Sequence, residues 1–247
     1  MRFPADVVKA TVFVGLEANG RFIPRGSGFF ATVPYQGYFF PFVVTADHVV
    51  ELIQGDFIWI RINRRSGGCS TIKFEKSRKI SHRIHQNDIA MFSVDYDESP
   101  FDTKALLLDR NEYNKQRDGL WLEDIGDEVA TVGLYSTHYG EEKNVPVVRV
   151  GNISLMPGEK VLSHRGYVKA YLIEIKSIAG LSGSPVYITL PAFTVRDGLL
   201  RTLKNKKDAA ARPLGMLTGY HMITSSEDQI QVPEYQGDDV GHHEKKS

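Results

Sequence analysis

The hydrophobic positions of the chain are gathered in short segments that are rich in valine, isoleucine, phenylalanine and tyrosine. These segments cover residues 7–16, 40–44, 57–62, 89–94, 129–135, 145–150, 171–175, 186–190 and 214–223. Between them lie turn-forming runs of glycine, asparagine, serine and proline, at 18–20, 25–28, 66–68 and 156–158. Many short strands separated by turns predict an all-β protein, either a sandwich or a barrel.

Helical periodicity is nearly absent from the sequence. Residues 47–54 predict one short helix, and residues 199–211 permit a helix but lack a clean apolar face. The polar segment 110–119 is the best candidate for a linker, because it divides the strand-rich sequence into halves of similar size. A chain of 247 residues suits one large all-β domain or two domains of about 100 residues each.

The overall composition excludes several classes of protein. Thirty Lys and Arg residues balance thirty Asp and Glu residues, which argues against a dedicated nucleic-acid binder. No apolar run is long enough for a membrane-spanning helix. The single cysteine excludes an internal disulfide and a multi-cysteine zinc site. The first residues lack the features of a secretory signal, so we expect a cytoplasmic protein with no membrane partner.

Two segments nevertheless concentrate charge. Residues 196–212 hold six basic side chains against two acidic ones, and residues 225–247 hold six acidic side chains against two lysines. The simplest interpretation is a solvated loop and a solvated tail. The alternative is that either segment docks a regulatory protein partner.

Three other segments contain residue types that can act together in acyl transfer. Taken alone, a histidine after a strand (His48), an aspartate at a strand start (Asp88) and a Gly-x-Ser-Gly turn (around Ser182) have ordinary structural explanations. Together they have a shared chemistry, because a serine hydroxyl becomes a good nucleophile when an imidazole removes its proton. The imidazole in turn needs a carboxylate on its other nitrogen, and flanking glycines permit the close backbone approach that oxyanion donors require.

In the order His, Asp, Ser, these segments resemble the trypsin-like (chymotrypsin-fold) serine peptidases, especially the disulfide-free bacterial branch that includes the HtrA proteases. The matching motifs are Thr45-Ala46-Asp47-His48-Val49, Asp88-Ile89-Ala90 and Gly180-Leu181-Ser182-Gly183-Ser184-Pro185. Supporting matches are Gly26-Ser27-Gly28-Phe29-Phe30, Gly126-Asp127-Glu128-Val129, Gly151-Asn152-Ile153-Ser154 and Leu214-Gly215-Met216-Leu217. The resemblance covers roughly residues 7–224. The chain orders of α/β-hydrolases and subtilisins do not fit.

The resemblance implies two antiparallel six-stranded-type β-barrels with the active site between them. Its expected divisions are an N-terminal barrel at 1–112, a linker at 113–124, a C-terminal barrel at 125–224 and an acidic tail at 225–247.

The resemblance also implies a serine endopeptidase that acts on polypeptides without a cofactor. In that reading Ser182 is the nucleophile, His48 is the general base and Asp88 orients His48. The backbone N–H groups of Gly180 and Ser182 would form the oxyanion hole.

Several positions depart from the family pattern or stay open. Asp47 replaces a small residue, and its charge either contacts solvent or acts on His48. Leu181 replaces the usual Asp or Asn, so the N-terminal-amine salt bridge of zymogen activation is unavailable. The oxyanion hole is then either preformed or ordered by a partner.

The residues expected by position in the primary specificity pocket are Lys176, Ser177, Thr218 and Tyr220. Lys176 would favour acidic substrate side chains through charge pairing, or it is simply a solvated lysine at a strand edge. His82 and His85 lack an evident third ligand, so no metal site is expected.

Two alternatives to a free-standing active peptidase remain open. One is a catalytically weak, protease-like binding module. The other is a protease domain regulated within a larger bacterial stress or defence assembly.

Overall fold

The computed structural model describes residues 5–95, 97, 99–109, 123–176, 179–189, 193–196, 199–202 and 211–219. Its first sheet contains β1 (Thr11–Ala18), β2 (Arg21–Tyr35), β3 (Tyr38–Ala46), β4 (Phe57–Asn63), β5 (Cys69–Glu75), β6 (Ile80–Ser81), β7 (Ile89–Ser93) and β8 (Leu106–Leu107). Its second sheet contains β9 (Glu128–Gly133), β10 (Val147–Leu155), β13 (Leu172–Ile175), β14 (Pro185–Thr189) and β17 (Ala211–Met216). Two separate hairpins are β11 (Lys160–Ser163) with β12 (Gly166–Lys169), and β15 (Phe193–Arg196) with β16 (Leu199–Thr202).

The helical elements in the described residues are short. They are α1 (Ala5–Ala10), α2 (Asp47–Glu51), and two 3-10 turns at Lys76–Arg78 and His85–Asn87. Within the described part of the chain, no helix has the length and apolar character needed to cross a membrane.

The sheet topology confirms the all-β fold class. The first sheet runs β5-β4-β1-β2-β3-β7-β6, with β8 added in parallel at β2, and the second runs β13-β10-β9-β14-β17. All other pairings are antiparallel, as expected for strands joined by short turns. The strand numbers differ from the two six-stranded barrels that the resemblance implied, and the pairings among the described residues leave both sheets open.

One predicted strand is partly wrong, because residues 7–10 belong to helix α1 and β1 begins only at Thr11. Val7 and Ala10 are both buried. Their spacing of three residues places both on one helix face. The two apolar residues that were predicted to lie in a strand therefore anchor a short helix instead. The segment at 199–211 also differs, since its first four residues form β16.

Apolar side chains join the two sheets. Phe29, Ala31 and Val44 from the first sheet share a buried cluster with Val132 and Tyr187 from the second. A larger cluster joins the first sheet to helix α2, and a smaller one lies within the second sheet. The packing between the sheets therefore brings β3, which leads directly into helix α2, into one cluster with β14.

The basic segment 196–212 is not uniformly a solvated loop. Arg212 is buried in β17, where it donates a 2.8 Å hydrogen bond to Glu123. This residue is therefore part of the second sheet and is not available to a docking surface. Residues 203–210 and the tail at 225–247 lie outside the described residues.

Candidate active site

His48 lies in the first turn of helix α2, which directly follows β3. The apolar residues Val49 and Val50 are buried beneath the first sheet, while the His48 side chain stays partly exposed at 22%. The short apolar stretch thus anchors the helix and leaves the imidazole partly exposed.

Asp88 holds His48 by two separate contacts. Its Oδ2 lies 2.6 Å from His48 Nδ1, and its Oδ1 accepts a 2.9 Å hydrogen bond from the His48 backbone N–H. Asp88 ends the 3-10 turn at His85–Asn87 with a left-handed φ of 55°, a conformation that aspartate tolerates better than most residues. This local backbone turns the carboxylate towards helix α2 just before β7 begins.

The carboxylate of Asp88 stays ionised although it is almost fully buried. Burial alone would raise its pKa, but hydrogen bonds from His48 and the charges of His48 and Arg165 outweigh that effect and hold the pKa of Asp88 below its ordinary value. The negatively charged form of Asp88, which these contacts favour, therefore faces the Nδ1 side of the imidazole.

Ser182 lies half-buried in the turn that precedes β14. Its carbonyl accepts a 2.9 Å hydrogen bond from the backbone N–H of Ser27 in β2. Gly183, with φ of 86°, has no room for a side chain, because a Cβ would lie 2.0 Å from the Ser27 carbonyl oxygen. The glycine that the sequence motif supplied is thus required for the turn to touch β2.

The turn also presents two backbone donors. The Ala179 carbonyl accepts a 3.4 Å hydrogen bond from the Ser136 N–H, and the N–H of a trans peptide points opposite to its carbonyl. The Gly180 N–H therefore points away from Ser136. Among the described residues, neither this N–H nor that of Ser182 donates to a protein acceptor.

Backbone contacts bring the Ser182 turn and helix α2 to the same place. A Cβ on Gly26 of β2 would lie 2.7 Å from Val49, the residue after His48, and 3.1 Å from the Ser182 carbonyl oxygen. Between the two described side chains themselves, however, no hydrogen bond joins Ser182 Oγ to the His48 ring.

The tip of the β11–β12 hairpin adds two residues that the sequence analysis missed. The side chain of Arg165 is only 6% exposed, and its Nε lies 2.9 Å from Asp88 Oδ1 while its guanidinium also pairs with Glu51 at 2.5 Å. His164 packs edge-on against His48, with ring centroids 5.0 Å apart and an interplanar angle of 79°. The sequence did contain a signal for this hairpin. His164 and Arg165 stand between two short segments of mixed polarity and directly before Gly166, a pattern that fits a polar hairpin tip.

His164 stands beside the same carboxylate as His48. Its Nε2 lies 3.7 Å from Asp88 Oδ2, and its side chain is 46% exposed. Burial lowers the pKa of His164; the charge of Asp88 opposes this, and the positive charges of His48 and Arg165 add to it. The hairpin of the second half of the chain thus closes over the His48–Asp88 pair of the first.

Asp47 neither faces open solvent nor contacts the His48 ring in the described structure. It is buried, and its Oδ1 pairs with Lys79 Nζ at 2.6 Å while its Oδ2 lies 4.0 Å from His85. Lys79 therefore compensates its charge. His85 contacts the Arg165 guanidinium through its ring, so it belongs to this network of charges rather than to a pair with His82.

The residues expected in the specificity pocket are only partly described. Lys176 follows β13 and is exposed, and Thr218 is half-buried after β17. Ser177 and Tyr220 lie outside the described residues. Gly219, next to Thr218, lies against the His164 ring, since a Cβ there would be 3.5 Å from His164 Nδ1.

Comparison with known proteins gives only a weak structural similarity, with TM-scores below 0.5. No family model matches the chain, and no curated protein matches it significantly. Among solved structures it is similar to the MamO protease domain from Magnetospirillum magneticum, with 14% identity and a TM-score of 0.49 over 79% of this chain and 90% of that one.

Two further solved structures are also similar to the chain. Human heparin binding protein shares 13% identity with a TM-score of 0.42, covering 77% of this chain and 83% of its own. An inactivated protease paralogue of the scabies mite shares 16% identity with a TM-score of 0.41, covering 84% and 88%. The similar structures have the trypsin-like fold of two β-barrel-like units, and function has to be argued from the site itself.

Proposed function

We propose that the protein is a serine endopeptidase of the disulfide-free, HtrA-like type, with His48, Asp88 and Ser182 as its catalytic triad. The observation that carries the proposal is the double hold of Asp88 on His48, through Nδ1 and through the backbone N–H. A carboxylate on Nδ1 fixes the tautomer in which Nε2 is free to accept a proton. That arrangement is the one a general base needs.

In the proposed mechanism, Ser182 Oγ attacks the carbonyl carbon of the scissile peptide bond while His48 Nε2 accepts the hydroxyl proton. The imidazolium then gives this proton to the leaving amine, and the acyl group stays on Ser182. Water, deprotonated by His48, releases the acyl group in the second half of the reaction. Asp88 stays ionised throughout and stabilises the imidazolium.

The proposed oxyanion hole consists of the N–H groups of Gly180 and Ser182. The hydrogen bond between Ser136 N–H and the Ala179 carbonyl supports it, because it orients the following N–H away from Ser136. Losing one such donor typically costs about 2.7–4 kcal/mol of transition-state stabilisation. An oxyanion hole that is already ordered in this way would need no salt bridge from an N-terminal amine. This is consistent with Leu181, which stands directly before Ser182 and has no carboxylate to form such a bridge.

The wider assignment keeps the expected divisions. We place the N-terminal unit at 1–112 and the C-terminal unit at 125–224, with Lys176 and Thr218 lining the primary specificity pocket. In this assignment the exposed ammonium of Lys176 selects acidic side chains.

A fluorophosphonate probe tests the proposal directly, since it labels only an activated serine. We expect labelling of the wild type, located at Ser182 by mass spectrometry. Ser182→Ala should abolish the labelling and His48→Ala should reduce it sharply. Ser184→Ala is the matched control, because this serine lies in the same turn, is fully buried and should leave labelling unchanged.

A protease-like binding module is the second candidate function. It is favoured by the missing Ser182–His48 hydrogen bond and by the hairpin residues packed on the triad carboxylate. If the folded wild type takes no label at any pH between 6 and 9, with peptide substrate absent or present, the endopeptidase proposal is wrong and the binding module is the better assignment.

A further inference from the structure

The carboxylate oxygen Asp88 Oδ2 is approached by two imidazole rings. His48 Nδ1 lies 2.6 Å from it and His164 Nε2 lies 3.7 Å from it. One ligand atom from each of the three residues lies within 4.8 Å of the other two. Two neutral imidazoles and one carboxylate are a common ligand set for Zn²⁺ in proteins.

The distances suit a small tetrahedral ion after modest adjustment. With metal–ligand bonds of about 2.0–2.1 Å, ligand atoms stand about 3.3 Å apart, so the Oδ2–Nδ1 distance must widen by about 0.7 Å and the Oδ2–Nε2 distance must shorten by about 0.4 Å. His164 can shorten the second distance, because it sits at a hairpin tip and is half-exposed, and a small rotation of the partly exposed His48 ring widens the first. The same exposure gives an ion access to the cluster from solvent.

A second cluster nearby is less suited to a metal ion, because its carboxylates are already paired with cationic side chains. Asp47, Glu51 and His85 also converge, but Lys79 already pairs with Asp47 and Arg165 already pairs with Glu51. At Asp88 the guanidinium of Arg165 takes the other oxygen, Oδ1, at 2.9 Å. Oδ2 is therefore left facing imidazole nitrogens, which are metal ligands when neutral.

We propose that His164, His48 and Asp88 form a binding site for a divalent transition-metal ion of the Zn²⁺ type, and that binding there switches the triad off. The metal would take the lone pair of His48 Nδ1, so the single proton of the neutral ring would move to Nε2. A protonated Nε2 cannot accept the proton of Ser182. The binding itself stands on the geometry alone, while the inhibitory consequence rests on the proposed peptidase function.

Cobalt(II) gives a test of binding that does not depend on activity. The full chain is titrated with Co²⁺ in a background where His242 and His243 of the tail are both changed to Gln, since an adjacent histidine pair can itself bind metal. We expect visible absorption bands of tetrahedral Co²⁺ that are displaced by one equivalent of Zn²⁺. His164→Gln should weaken the affinity at least about tenfold, the loss seen even for partners outside the ligand shell.

His138→Gln is the matched control, because this histidine is exposed and is not among the charged partners of Asp88 in the described residues. Equal Co²⁺ affinity in the His164→Gln variant and its parent would overturn the site, as would the absence of absorption bands up to millimolar metal.

Fluorophosphonate labelling separates the two proposals. We expect Zn²⁺ to suppress labelling of the parent, EDTA to restore it, and His164→Gln to be labelled at Zn²⁺ concentrations that silence the parent. Co²⁺ binding without labelling under any condition would leave the metal site standing and count against the peptidase. Undiminished labelling with the metal site saturated would overturn the inhibitory role.

Discussion

The backbone N–H of Ser27 donates a 2.9 Å hydrogen bond to the carbonyl oxygen of Ser182. Ser27 lies in β2 of the first sheet, and Ser182 lies in the turn before β14 of the second. The Ser27 side chain makes two more contacts across the same boundary, donating to the Gly180 carbonyl at 2.8 Å and accepting from the Leu134 N–H at 2.6 Å. One small buried residue thus ties the candidate nucleophile turn to the half of the chain that carries His48.

Ser27→Ala should loosen this turn without opening the fold. The substitution leaves the buried Leu134 N–H and the Gly180 carbonyl without their partner, which costs about 1–3 kcal/mol in the free energy of unfolding. A misplaced nucleophile should also lower the rate of fluorophosphonate labelling about tenfold or more. Chemical denaturation and time-resolved labelling measure the two effects.

Ser184→Ala controls for the loss of a buried hydroxyl. Ser184 is also fully buried, but its Oγ has no hydrogen-bond partner among the described residues. Removing an unsatisfied hydroxyl should be neutral or slightly stabilising. Equal losses of stability and labelling in the two variants would mean that Ser27 has no special hold on the turn.

The strands and the local motifs could be predicted because they are written in neighbouring residues. Short runs of β-branched and aromatic residues predict strands near β3, β4, β7 and β14, and the glycines around Ser182 predict a tight turn. The hairpin strands β11 and β12 were missed because each has only four residues of mixed polarity. Residues 7–10 were misread because two buried apolar positions do not distinguish a helical turn from a strand.

The neighbours of Asp88 could not be predicted, since they depend on how distant segments meet. Arg165 reaches Asp88 and Glu51 only because the separate β11–β12 hairpin packs against the first sheet. Arg212 was counted with a basic segment, yet its partner Glu123 is 89 residues away in sequence. No local period encodes such pairings, so the sequence supplies the triad candidates without the charges that surround them.

Gly183→Ala should be far more damaging than an ordinary glycine substitution. The left-handed φ of 86° disfavours any side chain, and a Cβ would lie 2.0 Å from the Ser27 carbonyl oxygen. We expect a loss of about 3 kcal/mol or more in the free energy of unfolding, together with loss of labelling. Gly158→Ala provides the comparison, because a Cβ at Gly158 meets no atom within 4 Å. A Gly183 variant as stable and as reactive as the Gly158 variant would contradict the described turn.

Arg165→Gln should release the β11–β12 hairpin from the first sheet. The guanidinium is nearly buried between Asp88 and Glu51, and breaking a buried ion pair by removing one partner costs about 3 kcal/mol. Hydrogen exchange should accelerate in residues 160–169, while β9 stays protected.

The control for Arg165 is Arg78→Gln. Arg78 pairs with Asp95 at 3.1 Å, but both side chains are more than 60% exposed, so its loss should cost less than about 0.5 kcal/mol. If exchange in the hairpin is unchanged in the Arg165 variant, the hairpin is held by contacts other than this ion pair.

The buried contact between Glu123 and Arg212 should make stability depend on acid pH. Burial alone would raise the pKa of Glu123, but hydrogen bonds from Tyr171 and Arg212 and the charge of Arg212 outweigh it and hold the pKa below its ordinary value of 4.5. A depressed folded-state pKa contributes stability that is complete above the unfolded pKa and disappears as the pH falls through the folded one. The melting temperature of Glu123→Gln should therefore lie below that of the wild type at pH 7. This difference in melting temperature should stay unchanged down to about pH 5 and close below pH 4.5.

Glu159→Gln, at an exposed position, should follow the wild type at every pH. A gap for Glu123→Gln that stays constant to pH 3, or widens there, would show that the charge of Glu123 does not stabilise the second sheet.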